Sequence, residues 1–405
     1  MLRLFNTFGK KLMLFRPVKE DLVTIFTCGP SVYQRAHIGN FRTFLFEDIL
    51  VRYLEFSGYK VRRGLIFTDI EDKALLEADK KHKSVQQLTD KNIREFMEEM
   101  KLLRMKTPDY LPKASGSVNQ VVEIIQRLLE RKVAYWHKGN VYFDPLKFKG
   151  FGKLYGLDML KWPKKKVRFH KDTYPGIQWN LGDFILWHGY RKGEEACWDT
   201  IIGKGRPSWN IQDPAMISRY FNETLSVYCG GIDNLYRHHD YTLAILESIR
   251  PYAMARFWLH CHHLLVNGRK MSKSKGNIYY TDMLSREGYS MQEVRFFLIY
   301  EHYRKDLNFS VGNMASAVSS LREFRRNVLA IKRRASSSEA EDSALSEKIL
   351  KTFSGQMDND LSVRDAFDGL HAILAGLDLR VIRQSEAAGI IKALKKIDEV
   401  LQVIF

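Results

Sequence analysis

At 405 residues the chain is longer than one ordinary hydrophobic core organises, so two or three packed units are expected. With 45% hydrophobic and 27% charged residues it reads as a soluble globular protein, and no window is apolar enough to span a membrane. Lys and Arg number 64 against 47 Asp and Glu, and the net charge of +17 points to a polyanionic partner, nucleic acid by default.

In chain order, the opening MLRLFNTFGKK lacks the apolar stretch of a signal peptide. Leu22 to Cys28 is a β-branched apolar run that stops at Gly29-Pro30, the pattern of a buried strand entering a loop. From Gly39 to Ser57 apolar residues recur at helical spacing, and Gly58 ends the segment as a C-cap would. Tyr59 to Phe67 reads as a second strand, so a βαβ unit and a parallel sheet are expected. Val118 to Leu129 is an amphipathic helix, and Val133 to Asp144 alternates about Lys138-Gly139-Asn140 as a hairpin does.

The stretch to about Gly189 is aromatic, basic and turn-rich, with Lys164-Lys165-Lys166, and reads as an insertion between two halves of the core. The core pattern resumes near Tyr228-Cys229-Gly230-Gly231, and after Glu293 the pattern becomes long and helical. Leu321 to Arg334 presents a basic face, Ala335 to Asp342 is a polar loop, and two more amphipathic segments follow. The expected division is residues 1–110 and 201–290 for the two core halves, 111–200 for the insertion and 291–405 for a helical bundle. Cys28, Cys197, Cys229 and Cys261 form no CxxC pair, which argues for a reducing, cytoplasmic compartment.

Two motifs carry chemistry. In the first, a strand end delivers Cys28-Gly29-Pro30, and His37-Ile38-Gly39-Asn40 opens the following helix, whose N-terminus with His37 can face a triphosphate. Far away, Lys270-Met271-Ser272-Lys273-Ser274-Lys275 places lysines on a small-residue loop, where they can follow phosphates and neutralise the charge on departing pyrophosphate. Either alone is weak, since a histidine at a helix start is often only a cap and a basic loop is often a solvated turn. Together, in this order, HIGN and KMSKS resemble the signature pair of class I aminoacyl-tRNA synthetases.

The resemblance sharpens with FTDIEDK (from Phe67), GDFILWH (from Gly182), GRPSWNIQDPAM (from Gly205), CGGIDNLYRHHD (from Cys229) and MDNDLSVRDAF (from Met357). Over nearly its whole length the chain resembles cysteinyl-tRNA synthetases. That implies an α/β fold with a Rossmann-like core, a connective insertion and a C-terminal helical bundle. It implies ATP with Mg2+, an amino acid and tRNA as reactants. Gly29, His37, Gly39, Asn40, Lys270, Met271, Ser272 and Lys273 fall where the family binds ATP, with His37, Asn40, Lys270 and Lys273 in the catalytic role. Thr68, Trp209 and Asp233 match the amino-acid pocket, Asp233 near the α-amino group.

The departures concern the family's zinc, held by two Cys, one His and one Glu. Cys28 and His238 match, but Asp213 stands at the second cysteine and Thr242 at the glutamate. Carboxylate oxygen is an acceptable zinc ligand and threonine a poor one, for which Asp240 or His239 would have to move in, so the site is either a remnant built on Cys28, Asp213 and His238 or has lost the metal. Without it, cysteine would lose its chemical distinction from other small residues, and Asp213 would suit a hydroxyl or cationic side chain. The match also stops near Phe405, where longer family members continue into an anticodon-binding domain. Three readings follow: an aminoacyl-tRNA ligase; a paralogue transferring a non-cysteine amino acid to tRNA, a small molecule or a carrier protein; and a non-catalytic tRNA-binding paralogue. For tRNA, the phosphate-contacting set read from the sequence is Arg322, Arg325, Arg326, Lys332, Arg333 and Arg334.

Overall fold

The computed structural model describes residues 1–158, 183–194, 196–271, 276–335 and 339–405. The chain opens with an antiparallel ribbon, β1 (Arg3–Asn6) and β2 (Lys11–Leu14). The first apolar run is β3 (Leu22–Thr27), the helical pattern after it is α1 (Ile38–Phe56), and β4 (Lys60–Leu65) returns parallel to β3. Gly58 has φ +93° just past the helix end, a conformation that side chains with a Cβ resist, and it stops α1 where the sequence places the stop. α2 (Asp72–Lys80) and α3 (Val85–Leu102) follow, α3 opened by a reciprocal capping box between Ser84 and Gln87.

α4 (Val118–Glu130) buries Val121, Val122, Ile125 and Leu128. The hairpin of β5 (Ala134–His137) and β6 (Asn140–Phe143) turns on Lys138 and Gly139 alone, both at positive φ, as a two-residue hairpin loop requires. β7 (Phe184–Gly189) and β8 (Gly205–Pro207) extend it into a four-stranded antiparallel sheet, which therefore runs past residue 200. Lys164, Lys165 and Lys166 lie outside the described residues.

α5 (Gln212–Tyr220), β9 (Leu225–Gly231), α6 (Tyr241–Ile249) and β10 (Ala255–Cys261) form the second half of the core. The parallel sheet has the order β10-β9-β3-β4. From the adjacent central strands the chain moves outward in opposite directions, through α1 to β4 and through α6 to β10. Such a switch point opens a crevice beyond the C-terminal ends of the strands. Strand alternation sorts the core into two clusters. Val23, Ile25, Val227 and Cys229 join Phe41 and Leu45 of α1, whereas Phe26 and Tyr228 join Val121 of α4, Ala215 of α5 and Ile245 of α6.

β11 (Leu264–Val266) pairs with β12 (Arg269–Lys270), and after α7 (Thr281–Arg286) and α8 (Met291–Tyr300) it is joined by β13 (Leu307–Phe309). The bundle then consists of α9 (Val311–Ala335), α10 (Ala344–Met357), α11 (Val363–Ala375) and α12 (Gln384–Leu401). Three helices, not two segments, follow the polar loop. The turn between α10 and α11 contains neither Gly nor Pro: Asp360 and Leu361 take positive φ there, and Asp360 is fixed by the Phe5 N–H and the Tyr303 hydroxyl, each at 2.7 Å. Among the described residues, no helix is long and apolar enough to cross a membrane.

Candidate active site

A cavity of about 270 Å³ opens at the C-terminal ends of β3 and β9, where the topology puts the crevice. Cys28, Gly29, His37, Gly39, Asn40, Trp209, Asp233, Lys270 and Met271 line it, so both motifs reach one space. Ser272 and Lys273 lie outside the described residues. Their flanks are close: Asn277 Nδ2 donates to the Lys270 carbonyl at 3.3 Å, and the Ile38 N–H at the start of α1 donates to the Tyr279 carbonyl at 3.0 Å.

His37 caps α1 reciprocally with Asn40. The Asn40 N–H donates to His37 Nδ1 at 3.2 Å, and the His37 N–H donates to Asn40 Oδ1 at 3.0 Å. With Nδ1 accepting, the ring proton sits on Nε2. Burial pushes the His37 pKa down to about 4, so the imidazole is neutral at pH 7. A Cβ on Gly39 would lie 3.0 Å from two atoms of that ring and 3.8 Å from Met271 Cε. Glycine thus lets the ring fold over the helix start and lets the second motif approach the first.

Beneath Trp209, whose ring stacks on His238 at 4.1 Å, lies a buried polar cluster. Asp213 Oδ2 accepts from the Tyr228 hydroxyl at 2.5 Å and is 3.0 Å from His238 Nε2. Burial, followed by the Asp213 carboxylate, pushes the Cys28 thiol well above its usual range. The Thr242 hydroxyl is spent on the backbone, donating to the His238 carbonyl at 2.9 Å. Thr68 is buried behind the loop after β3, paired through its backbone with Pro30 and Val32.

Zinc can be weighed against this donor set. Cys28 Sγ and one nitrogen each of His238 and His239 lie within 4.8 Å of one another. Among the described residues, Asp213 Oδ1, His238 Nδ1 and His239 Nε2 are buried with no hydrogen-bond partner. Sulfur and imidazole donors at one focus, with the half-satisfied Asp213 carboxylate beside His238, fit a zinc-type ion.

Sequence reasoning missed several residues. His262, His263 and Lys73 also line the cavity, and Tyr228 and His260 lie behind it with His239, which the sequence had offered beside Asp240 as a stand-in for Thr242. Lys73 closes FTDIEDK, so it lay inside a recognised motif; the sequence placed Tyr228 in the resuming core pattern but gave it no role in the site. Cys229 and Cys261 are buried, with thiols raised by burial, and Cys197 is half-buried. Of the basic set on α9, Arg325 donates to the Val403 carbonyl, Arg334 to the Ile382 carbonyl, and Arg322 pairs with Glu293 at 2.6 Å. Arg326, Lys332 and Arg333 are exposed.

A family profile described as the catalytic domain of class I (C) tRNA synthetases matches residues 14–319. The chain belongs to that family. It is 36% identical to the cysteine–tRNA ligase of Chlamydia caviae, covering all of this chain and 86% of that protein. The cysteine–tRNA ligase of Koribacter versatilis is 35% identical, with all of this chain and 82% of that protein covered. Among solved structures, the LeuRS–tRNA–LeuAMS ternary complex of Agrobacterium radiobacter K84 aligns at TM-score 0.71 and 10% identity, covering 96% of this chain and 85% of that one. Mycobacterium tuberculosis methionyl-tRNA synthetase with methionyl-adenylate aligns at 0.64 and 14%, covering 95% and 90%. These distant structures share the fold: an α/β class I synthetase core followed by helices.

Proposed function

We propose that this family member is a cysteine–tRNA ligase that works through an aminoacyl-adenylate. The observation that carries the reading is the meeting of the two motif loops, Met271 against Gly39, over a cavity that Cys28 and Asp233 also line. ATP, with Mg2+, places its phosphates between the α1 N-terminus and Lys270. The substrate carboxylate attacks the α-phosphorus, the bond to the β-phosphate oxygen breaks, and pyrophosphate leaves. His37 donates a hydrogen bond from neutral Nε2, and Lys270 and Lys273 meet the negative charge that builds on the leaving group. Asp233 holds the α-ammonium, and Trp209 with Cys28 bounds the side chain. The tRNA 3′-terminal hydroxyl then attacks the carbonyl carbon, its proton goes to solvent, and AMP leaves. A bound zinc would supply a thiophilic centre for the cysteine sulfur.

A second reading has its own observation. Asp213 and Thr242 replace two of the family's zinc ligands, which favours a different amino acid passed to tRNA or to another acceptor. ATP–pyrophosphate exchange with each amino acid in turn, followed by charging of tRNA, separates the two. Exchange with cysteine and formation of cysteinyl-tRNA are expected. Exchange confined to another amino acid would replace the first reading by the second.

A further inference from the structure

Two of the family's zinc ligands are altered, yet the polar cluster under Trp209 is short of hydrogen bonds rather than filled by apolar side chains. Two neighbours could compensate for Thr242. Asp240 is engaged elsewhere, its carboxylate oxygens accepting from the Leu154 and Tyr155 N–H groups at 3.4 and 3.1 Å. His239 is placed differently. It lies with Cys28 and His238 inside the 4.8 Å cluster, and it is fully buried.

The far side of its ring is held. His239 Nδ1 is 2.8 Å from His260 Nε2, and His260 Nδ1 is 2.9 Å from Thr7 Oγ1. If Nδ1 of each ring carries the proton, His239 donates to His260 and His260 donates to Thr7. That arrangement satisfies both contacts and leaves His239 Nε2 as a bare lone pair, the form in which imidazole binds metals. The reverse chain from Thr7 through His260 would bury an N–H at Nε2 with no acceptor among the described residues. Nε2 has no partner among the described residues. The space in front of it is kept open by Gly230, where a Cβ would stand 3.1 Å from His239 Nε2 and 3.5 Å from Cys28 Cβ.

We propose that His239, through Nε2, supplies the ligand that Thr242 cannot, giving a zinc-type site of Cys28, His238, His239 and Asp213 oriented by the His260–Thr7 relay. The Cys28 thiol gives its proton to solvent as the metal enters. One thiolate, one carboxylate and two neutral imidazoles bring two negative charges, which balance a divalent cation. For what the ion would hold, this deepens the cysteine reading above and rests on it; for the metal itself it does not.

The test is metal content of the purified full chain, with Co2+ substitution followed by its visible absorption. About one zinc per chain is expected, together with a tetrahedral Co2+ spectrum carrying a sulfur charge-transfer band. Thr7→Val, which cuts only the end of the relay, should weaken metal affinity about 10–100-fold. His239→Gln should weaken it more, and His239→Gln with Thr242→Glu should recover binding by restoring a carboxylate four residues after His238. Because His239→Gln could fail to fold, circular dichroism accompanies each variant and Thr7→Val gives the independent reading. Metal-free protein, or affinity unchanged in both Thr7→Val and folded His239→Gln, overturns the inference. Cysteine-dependent exchange by metal-free protein would overturn the metal site and leave the ligase reading standing. Bound metal with no cysteine exchange would do the reverse.

Discussion

At the scale of single residues, His37 serves as both helix cap and cavity wall, and the two roles separate by pH. Its pKa is about 4 in the folded chain and near 6.5 when unfolded, so the unfolded state binds the extra proton between those values. The neutral form's stability is therefore fully present above about pH 6.5 and is lost as pH falls toward 4. His37→Asn keeps an N-capping side chain without the titration. Comparing urea unfolding of the two proteins, the wild type should lose about 2 kcal/mol more than the variant between pH 7.5 and pH 5. Equal losses would mean that His37 is protonated in the folded state. Lys273 gives the corresponding test of chemistry. Lys273→Ala should slow adenylation by about 2.7–4 kcal/mol of barrier, with little change in ATP affinity, if the lysine acts on the developing pyrophosphate charge. An unchanged exchange rate would remove it from the site.

Between elements, Arg295 of α8 joins the catalytic core to the bundle. Fully buried, it donates to the Leu401 carbonyl at the end of α12 (2.7 Å), to the Leu103 carbonyl after α3 (2.9 Å) and to Asp48 of α1 (2.6 Å). Arg295→Met should cost about 3–5 kcal/mol in chemical denaturation, because the Leu401 and Leu103 carbonyls lose this donor and buried Asp48 is left, among the described residues, with only Arg52 and the Lys106 N–H. Adding Asp48→Asn should cost less than the sum of the two single changes, and additive losses would show that the pair is not coupled. This junction illustrates what was legible in the sequence and what was not. The βαβ start, the Gly58 stop, the hairpin about Lys138-Gly139-Asn140 and the two motifs were readable because each has a local signature. Arg295 in a helical pattern reads as a solvated charge, since its acceptors lie far away in sequence. The turn at Asp360 and Leu361 was hidden for the same reason: its positive φ is held by Phe5 and Tyr303 rather than by a glycine. In the site, Cys28 and His37 announced themselves by motif, whereas Tyr228 and His260 matter only through the partners the fold gives them.

For the whole molecule, the open issue is where a net charge of +17 is used. A tRNA neutralised by lysines and arginines sheds counterions, so the logarithm of the binding constant falls with the logarithm of salt by roughly 0.7–0.9 per phosphate contacted. On α9 the structure divides the basic residues. Arg325 and Arg334 hold carbonyls of the bundle and Arg322 is paired with Glu293, while Arg326, Lys332 and Arg333 face solvent. If the solvent-facing three meet phosphates, changing all of them to Gln should flatten the salt slope of tRNA binding by about 2–3. None of them lines the cavity, so cysteine-dependent ATP–pyrophosphate exchange, which needs no tRNA, should be unaffected. Arg325→Gln should behave differently: its guanidinium anchors the Val403 carbonyl, so the change should lower stability more than it alters the salt slope. A slope unchanged by the triple substitution would make this face of α9 a solvated flank of the bundle. The charge that attracts tRNA would then have to lie on the core around the cavity, where Lys73 and Lys270 already stand.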